Sequence, residues 1–114
     1  MAADEKVSYF VRYRGLAPPI DGFASDYCGR HVDILRGWPG IERIVVHTPL
    51  AWRDPFPVRP DGTDFLTEMT FASADALRAA LGSEARARAR ADGANLMQGA
   101  AQVTHQAMRS LRLL

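Results

Sequence analysis

Glu84-Ala85-Arg86-Ala87-Arg88-Ala89-Arg90-Ala91 alternates without a break, and the fold turns on whether this is read as a strand or a helix. A two-residue period is the mark of a strand. Ala and Arg, however, are among the strongest helix formers. Glu84 with Arg88, and Arg88 with Asp92, are opposite charges at the four-residue spacing that supports a helix. The spacing therefore predicts a helix over residues 84–97 with its arginines on a solvated face. A phosphate-binding reading has less support, because on a helix Arg88 points about 200° away from Arg86.

Upstream, Ser73 caps a shorter helix whose Leu77, Ala80 and Leu81 form an inward stripe, and Gly82 stands where a left-handed cap is wanted. Another turn begins at Ser83. Phe65, Thr67, Met69 and Phe71 alternate with Leu66, Glu68 and Thr70, which makes a strand with two partly apolar faces. Nearer the start, Val7, Tyr9, Val11 and Tyr13 alternate with Ser8, Phe10 and Arg12 as the first strand. Gly15 to Pro19 breaks it. Asp21 is positioned to cap a helix running to Trp38, where Pro39-Gly40 stops it. Residues 41–50 are rich in β-branched side chains and read as strand two, with Arg43 against Ile44 and Val46 against His47 leaving its facing open. Downstream, residues 102–108 read as strand four and 110–114 as a partly apolar tail. The proline-dense loop over 49–63 carries Trp52 and Phe56, which argue against simple disorder. Covering the core's edge is its first reading, with a dimer contact or a pocket lid as alternatives.

The element order is β-α-β-β-α-β. It predicts an α+β, ferredoxin-like protomer with a four-stranded antiparallel sheet and helices on one face. The other face would carry Phe10, Arg12, Leu66, Glu68, Thr70 and alternate residues of strand four, a mixture too apolar to leave wet. Pairing two such faces about a two-fold axis predicts a homodimer. Glu68 then lies inside the resulting barrel or serves as an ion-pair partner at the interface, for instance with Arg12.

In the first helix, Phe23, Ile34, Tyr27, Trp38, His31 and Leu35 fall in that order across about 120° at a helical 100° per residue. His31 is thus aimed inward from the middle of an apolar stripe. A buried imidazole needs partners for its ring nitrogens, or a cavity where water or ligand supplies them. A satisfied core histidine and a pocket residue are both open on this pattern. Cys28 lies at the stripe's edge, about 60° from His31, and reads as a small core residue and not as a nucleophile. His47 and His105 read as ordinary strand residues. Neither forms metal-ligand spacing with His31, no Asp or Glu cluster completes a site, and no metal or other cofactor is expected.

Within the 114 residues, 47% are hydrophobic and 24% charged, the balance of a single globular domain over 1–114. Fourteen Lys and Arg against thirteen Asp and Glu give +1, which argues against nucleic acid or an anionic membrane as partner. Cys28 is the only cysteine, so an intrachain disulfide is impossible and a cytoplasmic location is expected. Met1-Ala2-Ala3-Asp4-Glu5-Lys6 lacks the basic start of a secretory signal, and no apolar run reaches membrane-spanning length.

Four stretches together resemble the EthD family: Tyr9-Phe10-Val11-Arg12-Tyr13-Arg14-Gly15, Asp26-Tyr27-Cys28-Gly29-Arg30-His31, Trp38-Pro39-Gly40-Ile41-Glu42-Arg43 and Phe65-Leu66-Thr67-Glu68-Met69-Thr70-Phe71. The specific element is the histidine eight residues before the Pro-Gly that opens strand two. Asp33 departs from the proline the family often carries two residues after that histidine. The resemblance implies a dimeric α/β barrel with a cleft between each sheet and its own helices. In that cleft His31 would be the principal polar group, walled by Tyr9, Tyr13, Tyr27, Trp38 and Met69. The family is named for ethyl tert-butyl ether degradation, and related dimeric barrels include cofactor-independent monooxygenases, polyketide cyclases and muconolactone-type isomerases. Ile44 and Met69 stand where the isomerase type can carry a tyrosine and a cysteine, so that activity is not carried over to this chain.

Two functions are expected. One is a cofactor-independent isomerase, cyclase or monooxygenase of catabolism, acting on a small hydrophobic, aromatic or lactone-like metabolite with His31 as acid/base; Tyr9, Tyr13, Tyr27, Trp38, Ile44 and Met69 would contact the substrate. The other is a non-catalytic carrier of such a ligand for a partner oxidoreductase.

Overall fold

The structure, a computed structural model, describes residues 5–96 and 101–114. The acidic start at Asp4 and the predicted last helical residue, Met97, lie outside these. Strand β1 (Glu5–Arg14) alternates as predicted, burying Val7, Tyr9, Val11 and Tyr13. It pairs antiparallel with β3 (Phe65–Phe71) on one side and β4 (Gln102–Leu111) on the other. Strand β2 (Ile41–His47) joins β3, so the order is β2-β3-β1-β4. This is the ferredoxin-like arrangement expected from the element order.

A one-residue irregularity between Ile41 and Arg43 resolves the facing of β2. Ile41 sits opposite Phe71, and after the shift Ile44 and Val46 sit opposite Met69 and Thr67. All three therefore pack on the core side, which a bulge-free alternation could not achieve. Strand β2 ends at His47 and β4 continues to Leu111, so the predicted tail is partly ladder.

The first helical segment differs most from a regular helix. Helix α1 (Asp21–Asp26) leads into a π-helical turn (Tyr27–His31) and then α2 (Val32–Leu35). Ile20, not Asp21, is the N-cap, and no side chain caps the helix. The rod stops at Leu35; Gly37 and Trp38 close it through bonds to the carbonyls of Ile34 and Leu35, and Gly40 turns into β2 at φ +75°. The wide π turn aims both Tyr27 and His31 at the core and carries Cys28 to the surface, correcting its expected core position.

Helix α3 (Ala74–Leu81) is capped by Ser73, whose hydroxyl accepts from the Ala76 amide. Gly82 is not left-handed, with φ −89°. Instead Gly82 and Ser83 donate back to Arg78 and Ala80, and the Ser83 hydroxyl, after donating to Ala80, accepts from the Arg86 amide to start α4 (Glu84–Leu96). The alternating Ala/Arg segment is helical, as its propensities dictate. Its buried side is Ala85, Ala89, Asp92 and Leu96. The predicted Arg88–Asp92 pairing is absent, because Asp92 is drawn inward to other partners.

The segment between β2 and β3 is exposed and without regular structure, and Trp52 and Phe56 remain 56% and 73% exposed. They do not cover the core's edge. The segment is tied to the sheet where Arg12 donates to Thr63 and Asp61. Within the protomer Glu68 is engaged by His47 at 3.1 Å.

Candidate functional site

Between the helices and the sheet lies a cavity of about 240 Å³. Its sheet wall is Tyr9, Val11 and Tyr13 of β1, Met69 of β3, and Val103 and His105 of β4. Tyr27, His31, Leu35 and Trp38 form a second wall, and Arg86, Ala89, Arg90, Gly93 and Ala94 of α4 form the third. Space is left where Ala89, Gly93 and Ala94 put small side chains at α4 positions that a packed helix would fill with leucine or phenylalanine. At Gly93 an added Cβ would meet nothing within 4 Å.

His31 is 4% exposed, and its Nδ1 lies 2.9 Å from Oδ2 of Asp92. The other Asp92 oxygen accepts from Arg30 Nε at 2.8 Å. Burial pushes the Asp92 carboxyl up, but the hydrogen bonds and charges of His31 and Arg30 outweigh it and hold the group below the usual carboxylate range. An ionised carboxylate at Nδ1 orients the ring and, in the neutral form of the imidazole, selects the tautomer with its proton on that atom. Nε2 is then a lone-pair acceptor with no protein hydrogen bond among the described residues.

A second polar pair occupies the sheet wall. The Tyr9 hydroxyl and His105 Nδ1 share a hydrogen bond of 2.7 Å. Burial, then the nearby charges of Arg90 and Arg86, lower the His105 pKa, which keeps this ring neutral at pH 7. Burial also pushes Tyr13 up to about 12, with smaller opposing effects from Tyr27 and Arg90. Tyr27 is raised as well, chiefly by burial, and its oxygen accepts from Thr67 at 2.6 Å. Both phenols therefore stay protonated. The Trp38 indole nitrogen is buried and has no acceptor among the described residues.

Six predicted site residues meet here: His31, Tyr9, Tyr13, Tyr27, Trp38 and Met69. Ile44 does not. It lies on β2, the sheet edge farthest from the cavity, in a shallow groove beside Cys28 and Val32. Asp92, His105, Arg86 and Arg90 were not anticipated. The first two carried a readable signal, since Asp92 shares a helical stripe with Ala85, Ala89 and Leu96, and His105 alternates with Val103 and Ala107. Among the described residues no group of His, Cys, Asp or Glu could hold a metal ion, and no helix is long and apolar enough to cross a membrane.

The model of the EthD domain matches residues 21–100, which contain the π turn, His31 and Asp92. The chain belongs to the EthD family. An EthD family protein from Bacillus halodurans C-125 has the same fold, with TM-score 0.68 and 15% identity, over 89% of this chain and 96% of that one. SnoaB, a cofactor-independent oxygenase from Streptomyces nogalater, aligns with TM-score 0.62 and 20% identity over 98% of both chains. A dimeric ferredoxin-like protein of unknown function from Thermobifida fusca YX aligns with TM-score 0.62 and 11% identity, over 95% of this chain and 92% of that one. A comparison with curated proteins found no match. Membership explains the common frame; the Asp92–His31 and Tyr9–His105 pairs are the features of this EthD chain from which chemistry must be argued.

Proposed function

We propose that this EthD protein binds a small aromatic or lactone-like metabolite in the cavity and moves a proton on it without a cofactor, with His31 as the base. The observation that carries the reading is the His31 ring, fixed through Nδ1 by Asp92 and open at Nε2 in a wall of aromatic side chains. Nε2 would take a proton from an acidic C–H of the ligand, leaving an enolate and an imidazolium whose charge Asp92 balances. The Tyr9 hydroxyl, when its oxygen accepts from His105 Nδ1, keeps its own proton to donate to the enolate oxygen. Return of the proton to another carbon gives isomerisation. Addition of O₂ to the carbanion, with the carbanion's electrons forming the C–O bond, gives after protonation a hydroperoxide that loses water to leave a carbonyl, an oxygenation of the class named for SnoaB.

Proton exchange on 2-indanone in D₂O, followed by NMR, tests this without the natural substrate. The protein should accelerate exchange at the benzylic carbons beyond an equal concentration of free imidazole. Binding of 2-indanone without acceleration would remove the base and leave a non-catalytic carrier for a partner oxidoreductase.

We further propose that the sheet's outer face pairs two protomers. That face carries Phe10, Val45 and Leu66, all half-buried, with Met108 49% exposed, and Arg12 joins it to the segment bearing Trp52 and Phe56. Such a surface is better buried than wet, and a two-fold pairing buries it twice. Sedimentation at micromolar concentration should report a dimer, and Phe10→Glu should shift it to monomer. A monomeric wild type would end the proposal.

A further inference from the structure

Arg86, Ala89, Arg90, Gly93 and Ala94 repeat along α4 at helical spacing and all face the cavity. In an ordinary amphipathic helix such a stripe is apolar. Here its two long side chains are cations one turn apart, and neither is ion-paired among the described residues. Among the described residues Arg86 reaches only the Leu81 carbonyl, at 3.4 Å, and Arg90 makes no hydrogen bond. Asp92, the one buried acid among the described residues, has both oxygens engaged, by Arg30 and His31. Both guanidinium groups act on His105, and Arg90 acts on Tyr13, so their field reaches across the cavity to the sheet.

A cavity with aromatic walls, two neutral phenols and two unpaired cations at one side has a definite complement. We infer that its ligand is an anion, a planar ring bearing a carboxylate or ionised enol, whose charged end is bound by Arg86 and Arg90 while its ring lies against Tyr13, Tyr27 and Trp38. This rests on the small-molecule reading above and narrows it to one charge class. A guanidinium fork matches a carboxylate's two oxygens, and partial exclusion of water by the aromatic walls strengthens the contact. Solvated arginines on an empty rim would give no such selectivity.

The test compares 2-naphthoate with 2-naphthamide, which differ in charge and little in shape, by calorimetry at low salt. The wild type should bind the carboxylate at least about tenfold more tightly, the effect of one charge-assisted contact. Arg86→Gln with Arg90→Gln should abolish that preference while the amide still binds. Arg90→Gln alone, at the more exposed position, should reduce it and keeps the test readable if the double variant melts early. Equal affinity of the wild type for the two probes, or a preference that survives both substitutions, overturns the anion assignment and leaves the pocket standing. Failure of both probes to bind at millimolar concentration overturns the assignment together with the ligand-binding reading.

Discussion

His31→Ala should lower protein-catalysed exchange of 2-indanone by about 10²- to 10⁴-fold, the usual contribution of a positioned general base. The expectation follows from geometry, because no other described side chain in the cavity combines a lone pair free of protein bonds with a carboxylate behind it. His105 is the nearest rival, but its Nδ1 is committed to Tyr9 and the cationic field of Arg90 and Arg86 opposes its protonation. Removing the ring also strips Asp92 of a hydrogen bond, so a loss of rate must be separated from a loss of fold. His31→Gln serves that purpose, since it can still donate to Asp92 but cannot accept a proton at useful pH. It should melt nearer to wild type and yet be as slow as His31→Ala. Free imidazole should restore part of the rate in the alanine variant, which has the space to admit it. Asp92→Asn should fall between wild type and His31→Ala, because the ring keeps a partner but its cation loses the opposing charge. Undiminished exchange in His31→Gln would end the assignment of His31 as base.

Tyr27→Ala should cost about 3–5 kcal/mol of stability, the range for deleting a buried aromatic ring. Tyr27 is 1% exposed and is surrounded by rings, with centroids at 4.6 Å from His31, 4.7 Å from Phe65, 5.8 Å from Phe23 and 5.9 Å from Tyr13. Domains of this size are stable by roughly 5–15 kcal/mol, so the variant would approach the edge of folding. Tyr27→Phe keeps the ring and should cost only about 1–3 kcal/mol, by leaving the buried Thr67 hydroxyl without its acceptor. Guanidinium unfolding of the three proteins measures both numbers. A Tyr27→Ala midpoint within error of Tyr27→Phe would mean that the ring is not the keystone between core and cavity.

Much of this architecture was legible in the chain. The alternation of Phe65, Thr67, Met69 and Phe71 is buried residue for residue, and the helix-forming character of Ala and Arg correctly overrode the alternation of 84–91. His31 could be singled out because a polar ring on an apolar stripe is a local misfit. What escaped depended on departures from ideal periods. The π turn at Tyr27–His31 has no marker in composition, so a constant 100° step misplaced Cys28. The β2 irregularity left Ile44 unoriented until its partner strand was known. Asp92 was assigned to Arg88 because a four-residue pairing is visible in one helix, whereas the contact across to His31 spans sixty-one positions of chain. A second misfit, an acid on the small-residue stripe of α4, was the available clue, and two misfits on facing helices can satisfy each other.

Gly93 gives the cavity a history as well as a shape. A glycine inside a helix costs about 1 kcal/mol relative to alanine, and nothing in its surroundings forbids a side chain there. Vacant volume, not backbone conformation, is what the residue supplies. On the proposed ligand-binding reading, the size of molecule admitted is set largely at Ala89, Gly93 and Ala94, none of which bears a polar side chain. In the proposed function the proton chemistry is held elsewhere in the wall, by His31 and its carboxylate. Descendants of this protein could change which molecule they accept by successive small additions along one helix, each mildly stabilising, while inheriting the reactive centre intact.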